Sequence, residues 1–291
     1  MTSAPRSPAS GPHLVALDVD GTLVDHDGAM SARVRRAVQA VVAAGHHVVI
    51  ATGRSRAAAL PVVELAGITR GYAVASNGGI TLRIDAEAPG GYAVIDAAEF
   101  RPEPALRTLR EAVPGARFAL ETAEGAFWST VPVHDASFGA PARVVGFEEL
   151  ASMSAVRVVV FSEELDLEDF TEAIERAGLH GVAYAVGWTP WLDVAAHGVS
   201  KASALEQIRS RLGIPRERTV AVGDGFNDVE MLTWAGRGVA MGQAAQGVRA
   251  VADEVAPSVY EDGAASSWNP CWTEWVGRGW SRCPVQASSS V

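Results

Sequence analysis

From Leu14 onward, short runs of apolar residues alternate with longer segments in which apolar positions recur every three or four residues. The runs LVALD, HVVIAT and YAVASN are typical of buried strands, whereas residues 32–44 and 55–66 between them have helical spacing. Such an order of strand, helix and strand predicts a parallel sheet with helices on its faces.

The pattern changes between about residues 83 and 194. Strands are predicted in YAVID, FALET, AFWST, VRVVVFS, VAYAVGW and WLDVA, and helices over residues 103–112 and 167–177. Two similar blocks of strand, helix and hairpin indicate a separate α+β module. The earlier pattern then resumes, with helices over residues 202–211 and 228–235 and strands in TVAVGD and GVAMG.

These changes divide the chain into a discontinuous core and an inserted cap. We expect a short disordered leader (residues 1–12), a core (residues 13–82 and 195–265), a cap (residues 83–194) and an atypical tail (residues 266–291). The tail contains four of the eight tryptophans and both cysteines. We interpret it as partly disordered, and the alternative is a segment that packs or binds a partner.

Composition narrows the class of protein. The 291 residues are 48% apolar and carry a net charge of −10, which argues against nucleic acid or an anionic membrane surface as a partner. No apolar run reaches the ~20 residues that a membrane-spanning helix needs, and the N-terminus lacks the apolar centre of a signal peptide. We therefore expect a cytoplasmic protein, monomeric or homodimeric, without a disulfide framework.

Pairs of carboxylates follow two of the predicted core strands. Asp18 and Asp20 come after LVAL, and Asp224 and Asp228 come after TVAVG. Because the carboxyl ends of parallel strands share one edge of a sheet, we expect all four to converge. A hard divalent cation best explains such a cluster, and Mg²⁺ is favoured over Ca²⁺ because no EF-hand-like loop is present. The alternative is that each pair caps its own turn or helix.

Two other predicted strands end in residues that suit an anion. Thr52, Gly53 and Arg54 follow one strand, and Asn77 lies at the end of the next. Hydroxyl groups, exposed backbone N–H groups and a helix N-terminus together form an anion site. Either segment taken alone is also compatible with ordinary loop chemistry.

Lys201 is the only lysine in the chain. Ser200 before it is a natural N-cap, which places Lys201 in the first turn of a helix, where the helix dipole disfavours a cation. A break of a local rule is expected at a functional site, and a compact ammonium suits a carboxylate and a phosphoryl oxygen together. The alternative is a solvated surface lysine.

Five motifs, in order and spacing, resemble those of the haloacid dehalogenase superfamily. They are DVDGTLVD, ATGR, SNGG, the lysine in GVSKASAL, and GDGFND. The resemblance extends from about residue 13 to 265 and is greatest to Cof-type phosphatases with a type IIB (C2B) cap. It implies an α/β fold, with a Rossmann-like core whose parallel sheet is flanked by helices and an inserted α+β cap.

The resemblance also implies an activity. The expected enzyme is a Mg²⁺-dependent phosphatase of small phosphorylated metabolites, such as sugar phosphates, that forms an aspartyl-phosphate. Asp18 is then the nucleophile, and Asp20 is the general acid and later the base. The implied metal ligands are Asp18, the Asp20 carbonyl, Asp224 and Asp228; the implied phosphate-binding groups are Thr52, Asn77, Arg54, Asn227 and the N–H groups near Gly21 and Gly53, with Lys201 offsetting negative charge.

Two other functions stay open from the sequence. A phosphomutase of the same fold would share every core motif, and a weakly catalytic protein could recruit a partner through its tryptophan-rich tail. Specificity is expected to depend on the cap. Candidate contacts to the leaving group there are His134, Arg143, Trp188 and Trp191, each also compatible with packing or solvated surface.

Overall fold

A computed structural model describes residues 11–113, 115–133, 137–187 and 189–267 of the protein. The first ten residues of the predicted leader, His134, Trp188 and the tail from residue 268 lie outside the described residues. Within the described part, 14 strands form two sheets, and nine helices accompany them. Every helix found there is too short or too polar to cross a lipid bilayer.

The first sheet, which we call the core sheet, has eight strands. They are β1 (Leu14–Leu17), β2 (His47–Ala51), β3 (Arg70–Ala75), β4 (Ile80–Asp85), β5 (Tyr92–Ala97), β12 (Thr219–Gly223), β13 (Arg237–Ala240) and β14 (Glu254–Val255). Their order is β14-β13-β12-β1-β2-β3-β4-β5. Neighbours from β14 to β3 pair in parallel, and β4 and β5 continue the sheet antiparallel. The predicted α/β core is confirmed.

One predicted boundary is wrong. Residues 83–97 are predicted as part of the cap, but the structure places them in β4 and β5 of the core sheet. The alternation of strand and helix stops after β3, whereas the sheet itself continues, because antiparallel strands can be joined by short turns without a helix. We propose that the cap begins near residue 98 and ends near residue 196, within the predicted discontinuous core.

Helices cover both faces of the core sheet. The core helices are α1 (Ala32–Ala43), α2 (Arg56–Leu65), α6 (Lys201–Leu212), α7 (Val229–Trp234), α8 (Gln246–Arg249) and α9 (Gly263–Ser266). Val15 and Leu17 of β1 pack in the same cluster as α1 and α2, whereas Leu14 and Ala16 pack with α6 and α7. Successive strand residues point to opposite faces, so a short run of apolar residues fills both layers.

The cap has a sheet and helices of its own. Its elements are α3 (Glu103–Ala112), β6 (Arg117–Glu121), β7 (Phe127–Ser129), β8 (Arg143–Val144), α4 (Phe147–Ala151), β9 (Arg157–Phe161), α5 (Leu167–Ala177), β10 (Val182–Val186) and β11 (Trp191–Ala196). The sheet order is β10-β11-β9-β6-β7-β8. Leu106 of α3 and Phe170 of α5 pack with Val158 of β9 on one face of this sheet. The alternate residues of β9 and β11 therefore lie on the other face, which borders a cleft above the core sheet.

Candidate active site

Three carboxylates meet at the carboxyl edge of the core sheet. Asp18 follows β1, Asp224 follows β12, and these two strands are adjacent and parallel. Together with Asp228 they form a buried cluster in which one ligand oxygen of each residue lies within 4.8 Å of the others. The expected convergence is therefore seen for these three residues. Asp20 lies on the same cleft, but its side chain is 61% exposed and outside the cluster.

Lys201 lies between two of these carboxylates. Its Nζ is 2.6 Å from Asp18 Oδ1 and 2.7 Å from Asp228 Oδ1, and the side chain is fully buried. Burial disfavours the ammonium, but the two carboxylates outweigh this effect and raise the pKa of Lys201 above its ordinary range. Lys201 is therefore a charged group of the site, not a solvated surface lysine.

The predicted cap of α6 places the lysine. The Ser200 side chain accepts a hydrogen bond from the Ser203 backbone N–H, and the Ser203 side chain accepts one from the Ser200 N–H. This reciprocal pair begins the helix at Lys201 and fixes the direction in which its side chain leaves the backbone. The two carboxylates compensate for the unfavourable position of a cation at a helix start.

Asp228 is held by bonds to both of its oxygens. Oδ2 accepts hydrogen bonds from the backbone N–H groups of Asp224 (3.0 Å) and Gly225 (2.9 Å), while Oδ1 accepts the bond from Lys201. Its carboxylate thus stabilises the conformation of the loop after β12 and holds the Lys201 ammonium in place. Both oxygens are already engaged, which leaves Asp18 and Asp224 better placed to bind a cation directly.

Gln243 orients Asp224 and was not found from the sequence. Its Nε2 donates to the Gly21 carbonyl at 2.5 Å and to Asp224 Oδ2 at 3.3 Å, and its Oε1 accepts from the Val259 N–H. Gly21 has φ +76°, and a side chain there would collide with the Asp224 carboxylate. The Gly21 N–H itself donates to the Val24 carbonyl at 2.9 Å, so a role in phosphate binding stays a prediction for the other N–H groups near Gly21.

Asp20 and Arg54 form a bidentate pair on the open side of the cleft. Arg54 Nε and Nη2 donate to the two Asp20 oxygens at 2.9 and 2.5 Å. The planar guanidinium fork thereby sets the orientation of the carboxylate. The structure brings Arg54 to the cleft, as expected, but directs it toward Asp20.

Of the remaining predicted anion-binding residues, Gly53 and Asn227 line the same cleft as Asp18, and Thr52 and Asn77 adjoin them. Thr52 is buried and follows β2, and its Oγ1 accepts from the Arg54 N–H at 3.1 Å. Asn227 donates to Asn77 Oδ1 at 2.9 Å. Asn77 Nδ2 is buried and has no hydrogen-bond partner among the described residues, so it is a donor that a bound anion could use. Gly53 lets the two amides approach, since a Cβ there would be 3.1 Å from Asn77 Oδ1.

The carboxylate cluster fits a divalent cation. Three carboxylates face one ammonium, so the site has an excess of negative charge. Burial, and then the neighbouring Asp228 carboxylate, raise the pKa of Asp224 to about 6. Burial and Asp228 also raise the pKa of Asp18, against the opposing effect of Lys201. A hard cation bound to these oxygens relieves the crowding.

The cap closes one side of a cleft of about 290 Å³ above these residues. Its wall includes Arg157, Trp191 and Asp193 from β9 and β11. Arg157 Nε donates to Asp193 Oδ1 at 2.5 Å. The cleft is at the small end of the ~300–1,000 Å³ range of ligand pockets, which suits a small metabolite.

The family model of haloacid dehalogenase-like hydrolases matches residues 15–267. The chain belongs to this family. The hydrolase is 27% identical over 260 residues to 5-amino-6-(5-phospho-D-ribitylamino)uracil phosphatase YitU of Bacillus subtilis, with 87% of this chain and 95% of that protein covered. It is 26% identical over 253 residues to a phosphoglycolate phosphatase of Methanothermobacter thermautotrophicus, with 87% and 96% covered.

Solved structures confirm the fold of the hydrolase. The subclass IIB sugar phosphatase BT4131 superposes with a TM-score of 0.74 at 24% identity, over 91% of this chain and 99% of that chain. BT1666 of Bacteroides thetaiotaomicron, a phosphatase of the same superfamily, gives a TM-score of 0.70 at 26% identity, over 91% and 96%. The resemblance to type IIB members drawn from the motifs is thus confirmed.

The cap residues that line the cleft differ from those predicted from the sequence. Trp191 lines the cleft, whereas Arg143 is exposed and lies over the Trp128 ring, 5.4 Å from its centroid. Arg157 and Asp193 were not identified as site residues from the sequence, because the arginine in VRVVVFS and the aspartate in WLDVA are compatible with ordinary strand positions. Their polar types at alternate positions of apolar strands were the available signal.

Proposed function

We propose that this hydrolase is a Mg²⁺-dependent phosphatase that cleaves small phosphomonoesters through an aspartyl-phosphate on Asp18. The observation that carries the proposal is the buried Lys201, 2.6 Å from Asp18 Oδ1 beside the cleft. A lysine here opposes the effect of burial on the nearby carboxylate by favouring its ionised form, and it offers positive charge to a phosphoryl group. The phosphatases named among the relatives support a small phosphate ester as the substrate.

The residues divide the reaction into two steps. An Asp18 oxygen attacks phosphorus, the bond from phosphorus to the leaving oxygen breaks, and Asp20 gives its proton to that oxygen. Asp20 then takes a proton from water as the water oxygen attacks phosphorus. The bond to Asp18 breaks, and inorganic phosphate leaves with the Asp18 carboxylate restored.

Other groups stabilise charge or hold the phosphoryl group. Lys201 binds Asp18 directly, and the Thr52 hydroxyl and the Asn77 Nδ2 donor follow β2 and β3, the next two strands along the sheet from β1. Asp18, Asp224 and the Asp20 carbonyl would hold Mg²⁺, and Asp228 would bind it directly or through water. The ion would supply positive charge that offsets the negative charge of the phosphoryl oxygens. Phosphate monoesters require rate accelerations approaching ~10²¹-fold, so charge stabilisation must add to the nucleophile.

Phosphate release tests the proposal. Folded protein with Mg²⁺ is expected to release inorganic phosphate from at least one member of a panel of sugar phosphates, nucleotides and phenyl phosphate. The same panel without Mg²⁺, with EDTA added, is the control. Folded protein that releases no phosphate from any of them contradicts the proposed activity.

A further inference from the structure

Arg157 is a buried cation on the wall of the cleft. The side chain is 3% exposed, and it begins β9 on the face of the cap sheet that borders the cleft. Nε donates to Asp193 Oδ1, but Nη1 is buried without a hydrogen-bond partner among the described residues. An unpaired donor of a charged group costs free energy when it is buried, so such a donor calls for an explanation.

Asp193 is also fixed from a second side. Trp191 Nε1 donates to its Oδ2 at 3.3 Å, and the Trp191 ring stacks on Phe161 with 5.6 Å between ring centroids. The Arg157 guanidinium lies 5.5 Å from the Phe138 centroid. Both polar side chains are therefore held in place by aromatic packing, which is how specific binding groups are pre-organised.

The charge around Arg157 restricts what can bind it. Asp193 pairs with the guanidinium, and Glu121 of β6 is close enough to interact with it electrostatically. Glu121 itself accepts a hydrogen bond from the Ser76 hydroxyl at 2.6 Å. The cap wall therefore has no excess of positive charge, and the core side of the cleft carries several carboxylates. A leaving group with a carboxylate would therefore find no net positive charge on the cap wall to offset its own.

We propose that Arg157 and Asp193 determine substrate specificity by binding neighbouring hydroxyl groups of an uncharged leaving group. A hydroxyl both accepts and donates, so one oxygen can accept from the guanidinium of Arg157 while the adjacent hydroxyl donates to Asp193. The proposal rests on the phosphatase activity proposed above. It adds that Arg157 and Asp193 of the cap recognise the leaving group through its neighbouring hydroxyls, as in the sugar phosphates that the resemblance implies.

Three substrates test the assignment. Sorbitol 6-phosphate has neighbouring hydroxyls, 3-phosphoglycerate has a carboxylate, and phenyl phosphate has neither. The wild-type protein is expected to have a higher kcat/KM for sorbitol 6-phosphate than for 3-phosphoglycerate. A tenfold preference for 3-phosphoglycerate overturns the proposal. If none of these three substrates releases phosphate but another member of the wider panel does, the specificity assignment is overturned and the phosphatase activity stands. If no member of the wider panel releases phosphate, the phosphatase activity itself is contradicted.

Variants separate a binding role from a structural one. Arg157→Met and Arg157→Lys are expected to lower kcat/KM for sorbitol 6-phosphate by about 10- to 100-fold, the effect of losing a hydrogen bond to a charged group. The loss for phenyl phosphate should be about tenfold smaller, because that leaving group makes no such bond. Equal losses for both substrates show that the pair only supports the cap and overturn the proposal.

Asp193→Asn gives a readout that packing alone does not change. It removes the negative charge that neutralises Arg157, so the ratio of kcat/KM for 3-phosphoglycerate to that for sorbitol 6-phosphate is expected to rise. An unchanged ratio counts against the proposal. Arg107→Met is the matched control, because Arg107 forms an exposed pair with Glu103 and Glu148. Thermal unfolding identifies the variants that fold. If Arg157→Met does not fold, the kinetics of Arg157→Lys and Asp193→Asn test the proposal.

Discussion

The core and the cap each bury one cation beside the same cleft, but they satisfy it differently. Lys201 in the core binds two carboxylates of the chain, at 2.6 and 2.7 Å. Arg157 in the cap binds one carboxylate and keeps a donor without a partner among the described residues. In the core, the cation next to the reacting carboxylate is fully paired with side chains of the chain itself. In the cap, the cation keeps one donor that can bind the leaving group of the substrate.

The choice of cation follows from this difference. A lysine ammonium is a point charge that fits between Asp18 and Asp228, which approach it from different elements. An arginine fork can use one nitrogen for Asp193 and retain others for a ligand. The single lysine of the chain therefore lies where one compact charge binds two carboxylates from different elements.

The largest expected effect is in the core. Asp18→Asn should lower kcat by at least ~10⁴-fold for every substrate, because it removes the proposed nucleophile. Phosphate release under saturating substrate measures it. Asp169→Asn, an exposed change in α5, is the control. Retained turnover in Asp18→Asn contradicts the assignment of the nucleophile.

A reciprocal exchange of cations tests the comparison directly. Lys201→Arg should lower kcat by ~10²-fold for sorbitol 6-phosphate and phenyl phosphate alike, because the longer fork displaces groups next to the reacting carboxylate. Arg157→Lys should instead change the ratio between these substrates. Steady-state kinetics on both substrates measures the two patterns. Near-wild-type kcat in Lys201→Arg refutes the account of the lone lysine.

The effect of Mg²⁺ on the free energy of unfolding should distinguish the carboxylate cluster of the core from the Arg157–Asp193 pair of the cap. Mg²⁺ at about 100 times its Kd is expected to raise the free energy of unfolding by ~2.7 kcal/mol, because it binds the folded carboxylate cluster. Thermal unfolding with and without Mg²⁺ measures the shift. The shift should vanish in Asp224→Asn and persist in Asp193→Asn. An equal shift in Asp224→Asn excludes the cluster as the binding site.

The smallest effect lies at the opposite edge of the core sheet, where His13 precedes β1. Burial, and then His46 and Arg218, lower the pKa of His13 to about 4. The unfolded chain, with a histidine pKa of ~6.5, therefore binds more protons between these values, and stability falls as the pH drops through this range. Midpoints of thermal unfolding at pH 7 and pH 5 measure it. His13→Leu should show a smaller decrease, and an equal decrease means that other groups are responsible.

The sequence by itself determined the core. Short apolar runs fill both faces of β1, Gly21 permits the turn after it, and Ser200 starts α6 at Lys201; these are local effects that spacing and residue type reveal. The motifs around Asp18 and Asp224 also predicted that these residues meet, because parallel strands end at one edge.

Only the tertiary structure decided the rest. The core sheet continues through β4 and β5 without a helix, so the loss of the alternating pattern did not mark the edge of the sheet. Gln243 reaches Gly21 across 222 residues of sequence, and Arg157 meets Asp193 across 36. Such pairs have no spacing rule, because they depend on which strands are neighbours and which face each side chain occupies.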